Sequence, residues 1–255
     1  MTNNLIQWPR AKYWDKAWNP IIGCKPCSTA CENCYAAAMM RRFGAADFSP
    51  RTTTRVNPPR SGVVFCGNMT DLFGEWLEPF DSMEFFSRLF HFTRDGSPRP
   101  NEATYLFLTK RVSRMADALC NYTDVPNALF GFTAENQEWY DRRFAEFRKI
   151  PTKFRGWLSA EPLLGPIDLG LNHVYPPEAA PFQWVVVGCE SGSGRRPCPL
   201  EWVESVVEQC LDAGVRVFVK QICLPDGRFV NTLLDFPKHL RIRQVPWAKK
   251  GETKK

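Results

Sequence analysis

The sequence has no apolar run approaching the ~18 residues that a membrane-spanning helix needs, so no membrane partner is expected. It has only three histidines, His91, His173 and His239, and none falls in a ligand-like pattern. No Walker loop, HExxH helix or Ser-His-Asp logic can be traced, which sets aside the commonest nucleotide-hydrolase, zinc-protease and serine-hydrolase readings. A convincing Gly-x-Gly-x-x-Gly turn is missing too, which argues against a dinucleotide-binding fold. Repeats at solenoid period and low-complexity tracts are absent. The stretch MTNNLIQWPR has no apolar segment of signal-peptide type. Ten cysteines in 255 residues is well below the density of a small disulfide scaffold. The expected compartment is therefore the reducing cytoplasm.

The chain does have material for a core: 44% of its residues are hydrophobic and nine are tryptophans, which excludes a disordered chain. Its net charge of +6 permits a nucleic-acid partner through phosphate attraction without requiring one. Part of that excess sits in the lysine-rich stretch Lys249–Lys255, of a kind that is usually solvated.

The stretch the chain is arranged around is GCKPCSTACENCY, Gly23 to Tyr35, which holds Cys24, Cys27, Cys31 and Cys34. Thiolates are soft ligands that suit iron–sulfur clusters or zinc, and cysteines buried only for packing have no reason to crowd one loop. The spacing reads either as Cys-x6-Cys-x2-Cys (Cys24, Cys31, Cys34) or as Cys-x3-Cys-x2-Cys (Cys27, Cys31, Cys34). Both are three-thiolate sets. Three thiolates on a cubane leave one iron open for substrate or cofactor, whereas a closed electron-transfer cluster uses four. Zinc held by all four is the competing reading, but zinc ribbons take two well-separated Cys-x2-Cys knuckles, whereas Cys24 with Cys27 and Cys31 with Cys34 sit in one loop, only three residues apart. A disulfide pair would need an oxidising compartment. The other cysteines (66, 120, 189, 198, 210, 223) are spaced without metal-site logic and read mostly as small buried hydrophobes. Cys189 stands out among them because it lies at a strand end between Gly188 and Glu190.

Before the cysteines, Trp8, Tyr13, Trp14 and Trp18 make an aromatic lead-in over residues 1–20 that ends in a short first strand or a lid. YAAAMMRRFG after Cys34 reads as a helix stopped by Gly44, and 45–61 reads as an irregular connection. Strands are expected at 63–67, 104–108, 127–132, 155–159, 184–188 and 215–220. Helices are expected at Met83–Thr93, Val112–Cys120, Trp139–Lys149 and Leu200–Ala213. Continuous apolar strands alternating with helices predict a parallel sheet covered by helices. The expected fold is α/β, a partial or full TIM-type (β/α) barrel with the cluster loop after the first strand; a doubly wound sheet is the alternative. One domain over 1–255 is expected, with a Pro-rich loop at 165–183 and a disordered basic tail at 245–255.

In parallel α/β folds chemistry collects where strands end, and nearly every expected strand ends in polar groups. These are Asn68, Thr70 and Asp71; Thr109, Lys110 and Arg111; Thr133, Glu135 and Asn136; Ser159 and Glu161; Glu190 and Ser191; and Lys220 and Gln221. A barrel would bring them to one rim beside the cysteine loop. Each also has a plainer reading: Asp71 or Ser159 as a helix cap, Glu161 as a solvated loop residue. Gly192 and Gly194 serve turn geometry or, with Arg195 and Arg196, hold an anion.

WNPIIGC followed by CENCYA, then VVFCGNMTDLFGEW, YLFLTKR, FGFTAENQ, LSAEPLLGPI, WVVVGCESGSGRRP and VFVKQ, resembles a phage-type family of uncharacterised proteins with a three-cysteine motif. That family is distantly related to radical S-adenosylmethionine (SAM) enzymes. The likeness covers about Trp14 to Gln221. It implies a [4Fe–4S] cluster on Cys24, Cys31 and Cys34 with SAM on the open iron. Cys27 departs from the pattern and recreates the commoner radical-SAM spacing; Asn33 replaces the usual aromatic before the third cysteine, and Tyr35 follows it. The implied chemistry is reductive cleavage of SAM to methionine and a 5′-deoxyadenosyl radical, with an electron donor as partner. Asn68, Thr70 and Asp71 match the place of the methionine end, and Glu135 and Asn136 that of the ribose; the family's Gly-Gly-Glu triplet is absent. Ser159, Glu161, Glu190 and Ser191 complete the candidate set. The phage-type likeness points to nucleotide or nucleic-acid modification. The competing class is a non-enzymatic nucleic-acid- or partner-binding protein with a structural zinc or iron–sulfur site.

Overall fold

Runs that are apolar at consecutive positions become strands here because both of their faces are covered. Val63, Val64, Phe65 and Cys66 are all buried, as are all six residues of Ala128–Thr133 and all four of Trp184–Val187. A computed structural model describes residues 8, 10–54, 57–77, 89, 102–120, 125, 127–151, 154–171, 181–192 and 194–247. The expected helix at Met83–Thr93 therefore lies outside the described residues, except Leu89. So do most of the Pro-rich loop and all but the start of the basic tail.

The chain divides into two compact units. One comprises Trp14–Thr133 with Asp141–Arg155; the other comprises Met1–Tyr13, Ala134–Tyr140 and Gly156–Lys255. In the first, β1 (Lys16–Trp18), β4 (Ser61–Cys66), β5 (Glu102–Thr109) and β6 (Ala128–Thr133) lie side by side and parallel. Trp18 sits opposite Cys66, Cys66 opposite Phe107, and Thr109 opposite Phe132. A short antiparallel pair, β2 (Ile21–Ile22) with β3 (Arg51–Thr52), stands apart from that ladder. Helix α1 (Tyr35–Arg42) buries only Ala36 and leaves Tyr35 and Met39 exposed, as is Phe43 after it. Helix α2 (Val112–Leu119) turns Val112, Met115, Ala118 and Leu119 inward at helical spacing. Phe107 stacks on Phe130 at 5.1 Å between ring centroids, and Phe154 meets Phe130 edge-on at 5.7 Å. Fully burying such a side chain stabilises the fold by ~1.5–3 kcal/mol.

In the second unit β7 (Arg155–Ala160), β8 (Trp184–Val187) and β9 (Arg216–Val219) are also parallel, with Ala160 opposite Val187 and Val187 opposite Val219. Helix α4 (Leu200–Asp212) buries Val203, Val206, Val207 and Cys210. β10 (Ile222–Cys223) and β11 (Phe229–Val230) form a small antiparallel hairpin. Tyr13 packs edge-on against Trp184 and Phe218 at 5.2 and 5.4 Å, and Trp184 against Trp247 at 5.1 Å. Helix α3 (Gln137–Phe147) begins in this unit and ends in the other.

The expected parallel α/β class is what the chain adopts, with seven parallel strands divided four and three. Each strand read from an apolar run is present within a residue or two. The exceptions are local. The lead-in contributes a true parallel strand at Lys16–Trp18, and the supposedly irregular 45–61 contains β3. Neither has an apolar run to announce it: β1 is Lys-Ala-Trp, and β3 is Arg-Thr with both residues exposed.

Candidate functional site

The cysteine loop starts at Gly23, where the backbone takes φ +104° and a Cβ would meet Ser49 O at 2.1 Å. Only glycine tolerates both that conformation and that approach. The Gly23 amide donates to Met69 O at 3.0 Å and the Cys24 amide to Phe48 O at 2.9 Å. The loop is then tied to the segment that follows β4. Asn19 Nδ2 donates to Asn68 Oδ1 at 2.7 Å, and Asn19 Oδ1 accepts from the Met69 amide at 3.1 Å. Thr70 Oγ1 donates to Gly23 O at 2.6 Å, and the Tyr35 hydroxyl donates to Asn68 O. Asn68 and Thr70, predicted as cofactor contacts, thus fasten the cysteine loop to the end of a parallel strand.

The four loop cysteines are free thiols and half-buried. Cys31 is the centre of their electrostatics. Its Sγ lies 3.5 Å from the Cys27 amide, 3.8 Å from Ser28 Oγ and 3.5 Å from Lys110 Nζ. The Cys27 thiol donating to it, and then the Lys110 ammonium, outweigh burial and bring its pKa down to about 3. Cys27, which gives that hydrogen bond, is pushed up, with burial adding to the effect. Cys24 is pushed up to about 12, first by burial and then by the Asp71 carboxylate, with Arg111 opposing. One lowered thiol is therefore poised beside two raised ones, as expected for a thiol next to a cation.

Asp71 binds the Arg111 guanidinium and the backbone amide of Lys110. Its carboxylate accepts from Thr109 Oγ1 at 2.7 and 2.9 Å, the Phe73 amide at 3.0 Å, the Lys110 amide at 3.2 Å and Arg111 at 3.2 Å. Arg111 also donates to Glu75 at 2.7 Å and to Lys25 O in the cysteine loop at 3.0 Å, and lies 4.9 Å over Trp76. Asp71 and Arg111 are both buried. A buried pair like this is costly to break, because either partner left alone is an uncompensated charge. Lys110, Arg111 and Asn19 contact the cysteine loop or its anchor but are not among the candidate site residues read from the sequence. The polar run Thr-Lys-Arg at the end of β5 was the signal for the first two; nothing local marks Asn19.

The remaining predicted residues belong to the second unit. Asn136 caps α3: its Oδ1 accepts from the Trp139 amide at 3.0 Å. Glu135 and Ser159 are buried, and Ser159 O accepts from the Ala134 amide at 3.0 Å. Glu161 Oε1 accepts from Lys220 Nζ at 2.5 Å and Gln221 Nε2 at 2.7 Å, so it is a paired group and not a solvated loop residue. Glu190 accepts three hydrogen bonds from Arg196, through its amide, Nε and Nη2, at 2.9, 3.1 and 2.5 Å. Ser191 is exposed. Within their own units the structure thus groups Cys24, Cys31 and Cys34 with Asn68, Thr70 and Asp71, and separately pairs Glu161 with β9's end and Glu190 with Arg196.

The donor set fits a thiolate-bound cluster in kind and number: soft sulfurs, one already a thiolate, with a cation at 3.5 Å to offset their charge. Among the described residues no three His, Cys, Asp or Glu side chains converge to metal-ligand geometry. The thiols are near enough for Cys31 and Cys34 to act electrostatically on Cys24.

These features define a parallel α/β protein whose first unit carries a thiol-rich loop fastened to the segments that follow β4 and β5. The chain belongs to the DUF5131 family of proteins of unknown function, whose profile matches residues 9–232. No curated protein and no solved structure matches it.

Proposed function

We propose that this protein is a radical-SAM-type enzyme that holds a [4Fe–4S] cluster on Cys24, Cys31 and Cys34 and acts on a nucleotide or nucleic-acid substrate. The observation that carries the reading is the Cys31 thiolate, supported by Lys110 in a four-cysteine loop that is fastened to a parallel strand's end. A cluster with one open iron, when bound with SAM and supplied with an electron by a donor, provides the reductive cleavage that yields a 5′-deoxyadenosyl radical.

The chain's own residues prepare for that chemistry. Asn19, Asn68 and Thr70 fix the loop's entry, so its thiols are presented without a large ordering cost. Lys110 offsets the negative charge that three thiolates bring into a half-buried site. Asp71 acts through Lys110 and Arg111, because its oxygens already accept five hydrogen-bond contacts from the protein. It is a positioning residue in this reading, and SAM is held by other strand-end groups, for which Glu135, Asn136, Ser159, Glu161, Glu190 and Ser191 remain the candidates. The reading includes a partial (β/α) barrel, for which the parallel ladders in both units give support, and a reducing, cytoplasmic setting.

The test is SAM turnover by the full-length protein after anaerobic reconstitution with iron and sulfide and reduction by dithionite. Formation of 5′-deoxyadenosine that is lost in Cys31→Ala supports the proposal. Intact SAM beside a fully loaded cluster refutes the enzymatic part and leaves a structural cluster.

A further inference from the structure

Three cysteines that look scattered in the sequence meet in the second unit. Cys189 lies just past β8, Cys198 just before α4, and Cys223 in β10. Two sets of hydrogen bonds draw their segments together. The Cys189 amide donates to Gln221 O at 3.1 Å, and Gln221 Nε2 returns a bond to Cys189 O at 2.7 Å. That exchange fixes Cys189 beside the entry to β10. Arg196 grips Glu190 through its amide and guanidinium, which holds the Cys198 segment against the residue next to Cys189. The segments so joined bring the Cys189 and Cys223 side chains within electrostatic range of each other, and Cys198 within range of Cys223.

The three thiols are not equivalent. Cys189 and Cys198 are buried, at 0% and 5% exposure, whereas Cys223 is only half-buried. A reagent from solvent therefore meets Cys223 first, with the buried Cys189, fastened to Gln221 two residues before Cys223, as the neighbouring second thiol. An accessible attacking thiol backed by a resolving thiol is the arrangement that thiol–disulfide exchange requires.

We propose that Cys189 and Cys223 form a redox-reactive dithiol that closes to a reversible disulfide on reaction with a low-molecular-weight disulfide. The Cys223 thiolate attacks one sulfur of the reagent, RSSR, forming a mixed disulfide and releasing one RS⁻. Cys189, losing its proton to solvent, attacks the Cys223 sulfur and releases the second RS⁻. Two protein thiols are oxidised, one RSSR is reduced, and two RSH result once the released thiolates take up the two protons. The bond ties β10 to the end of β8, beside the Glu161 contacts with Lys220 and Gln221.

The sequence makes the test clean. Trypsin leaves Cys189 in Gly156–Arg195, Cys198 with Cys210 in Arg196–Arg216 (the Arg196–Pro197 bond resists cleavage), and Cys223 in Gln221–Arg228. All four loop cysteines fall together in Ala17–Arg41, so the result does not depend on the iron–sulfur reading. Full-length protein is incubated with oxidised glutathione, blocked with an alkylating reagent, digested without reductant and examined by mass spectrometry. The expected product is Gly156–Arg195 joined to Gln221–Arg228, reversed by dithiothreitol, retained in Cys198→Ser and lost in Cys223→Ser. The wild-type map decides even if a variant fails to fold. Joining of Gln221–Arg228 to Arg196–Arg216 instead, or a stable glutathione adduct on Cys223 with no cross-link, overturns the proposal.

Discussion

Two groups of thiols, one in each unit, are built from the same side chain, and only the first holds one that is lowered. In the loop of Cys24 to Cys34 the hydrogen bond from Cys27, and then a lysine 3.5 Å away, bring Cys31 down to about 3, while Cys24 and Cys27 are pushed up. In the group of Cys189, Cys198 and Cys223 burial dominates: Cys189 is pushed up, and Cys198 is pushed up to about 12. Burial raises a thiol and a nearby cation or donated hydrogen bond lowers it. Neither the count of cysteines nor their spacing distinguishes the two groups. What does is the hydrogen bond from Cys27 together with Lys110, whose backbone amide donates to a carboxylate tens of residues away in sequence.

The comparison breaks most severely at that carboxylate. Asp71→Ala removes the acceptor for Thr109, Lys110 and Arg111 and leaves the buried Arg111 paired with one exposed carboxylate, Glu75. We expect a loss of roughly 3–5 kcal/mol, read as a lower midpoint in urea denaturation. A loss below about 1 kcal/mol, the scale of a single net hydrogen bond, would mean that the network does not organise the loop.

The next effect sharpens the electrostatic contrast. With Cys31 lowered to about 3, its thiolate is fully formed above that pH, so its alkylation rate in metal-free protein should be flat between about pH 5 and 8. Cys24, raised to about 12, is a neutral thiol throughout that window, and its rate should climb about tenfold per pH unit. Cys198, also raised to about 12 and buried, should stay nearly unlabelled. Lys110→Met should move the Cys31 midpoint upward by roughly 1–3 pH units, the usual effect of losing one opposite charge at close range. Iodoacetamide labelling across pH, assigned residue by residue by fragmenting the Ala17–Arg41 peptide in tandem mass spectrometry, would show it. A Cys31 profile indistinguishable from that of Cys24 would remove the contrast.

The smallest effect concerns anchoring. Thr70→Val deletes one neutral hydrogen bond, to Gly23 O, and should cost about 1 kcal/mol in thermal or urea denaturation. It should leave the Cys189–Cys223 cross-link yield unchanged, since it acts only on the loop's unit.

Legibility in the sequence followed the range of the interactions involved. Strands such as Trp184–Val187 and the helix Leu200–Asp212 were readable because their signal is local: consecutive burial in one, helical spacing of Val203, Val206, Val207 and Cys210 in the other. The cysteine loop was readable for the same reason. Lys16–Trp18 was not, because it becomes a strand through its pairing with Val64–Cys66 and not through its own composition. The role of Asp71 was legible only as a strand-end carboxylate. Three of its partners, Thr109, Lys110 and Arg111, arrive from the neighbouring strand's end, beyond any local pattern. Asn136 was read as a ribose contact and is placed as a helix cap, a use that a sequence supports equally well. The second thiol group was hidden most completely. Its members are far apart in the chain and are brought together by Gln221 and Arg196, whose contacts have no sequence signature.

Metal analysis tests most directly whether the loop thiols hold an iron–sulfur cluster, as proposed. Protein purified without oxygen and reconstituted with iron and sulfide should carry about four irons and four sulfides per chain. That content should be abolished in Cys31→Ala and Cys24→Ala and retained in Cys27→Ala. Stoichiometric zinc with no bound iron in the wild-type protein would contradict it.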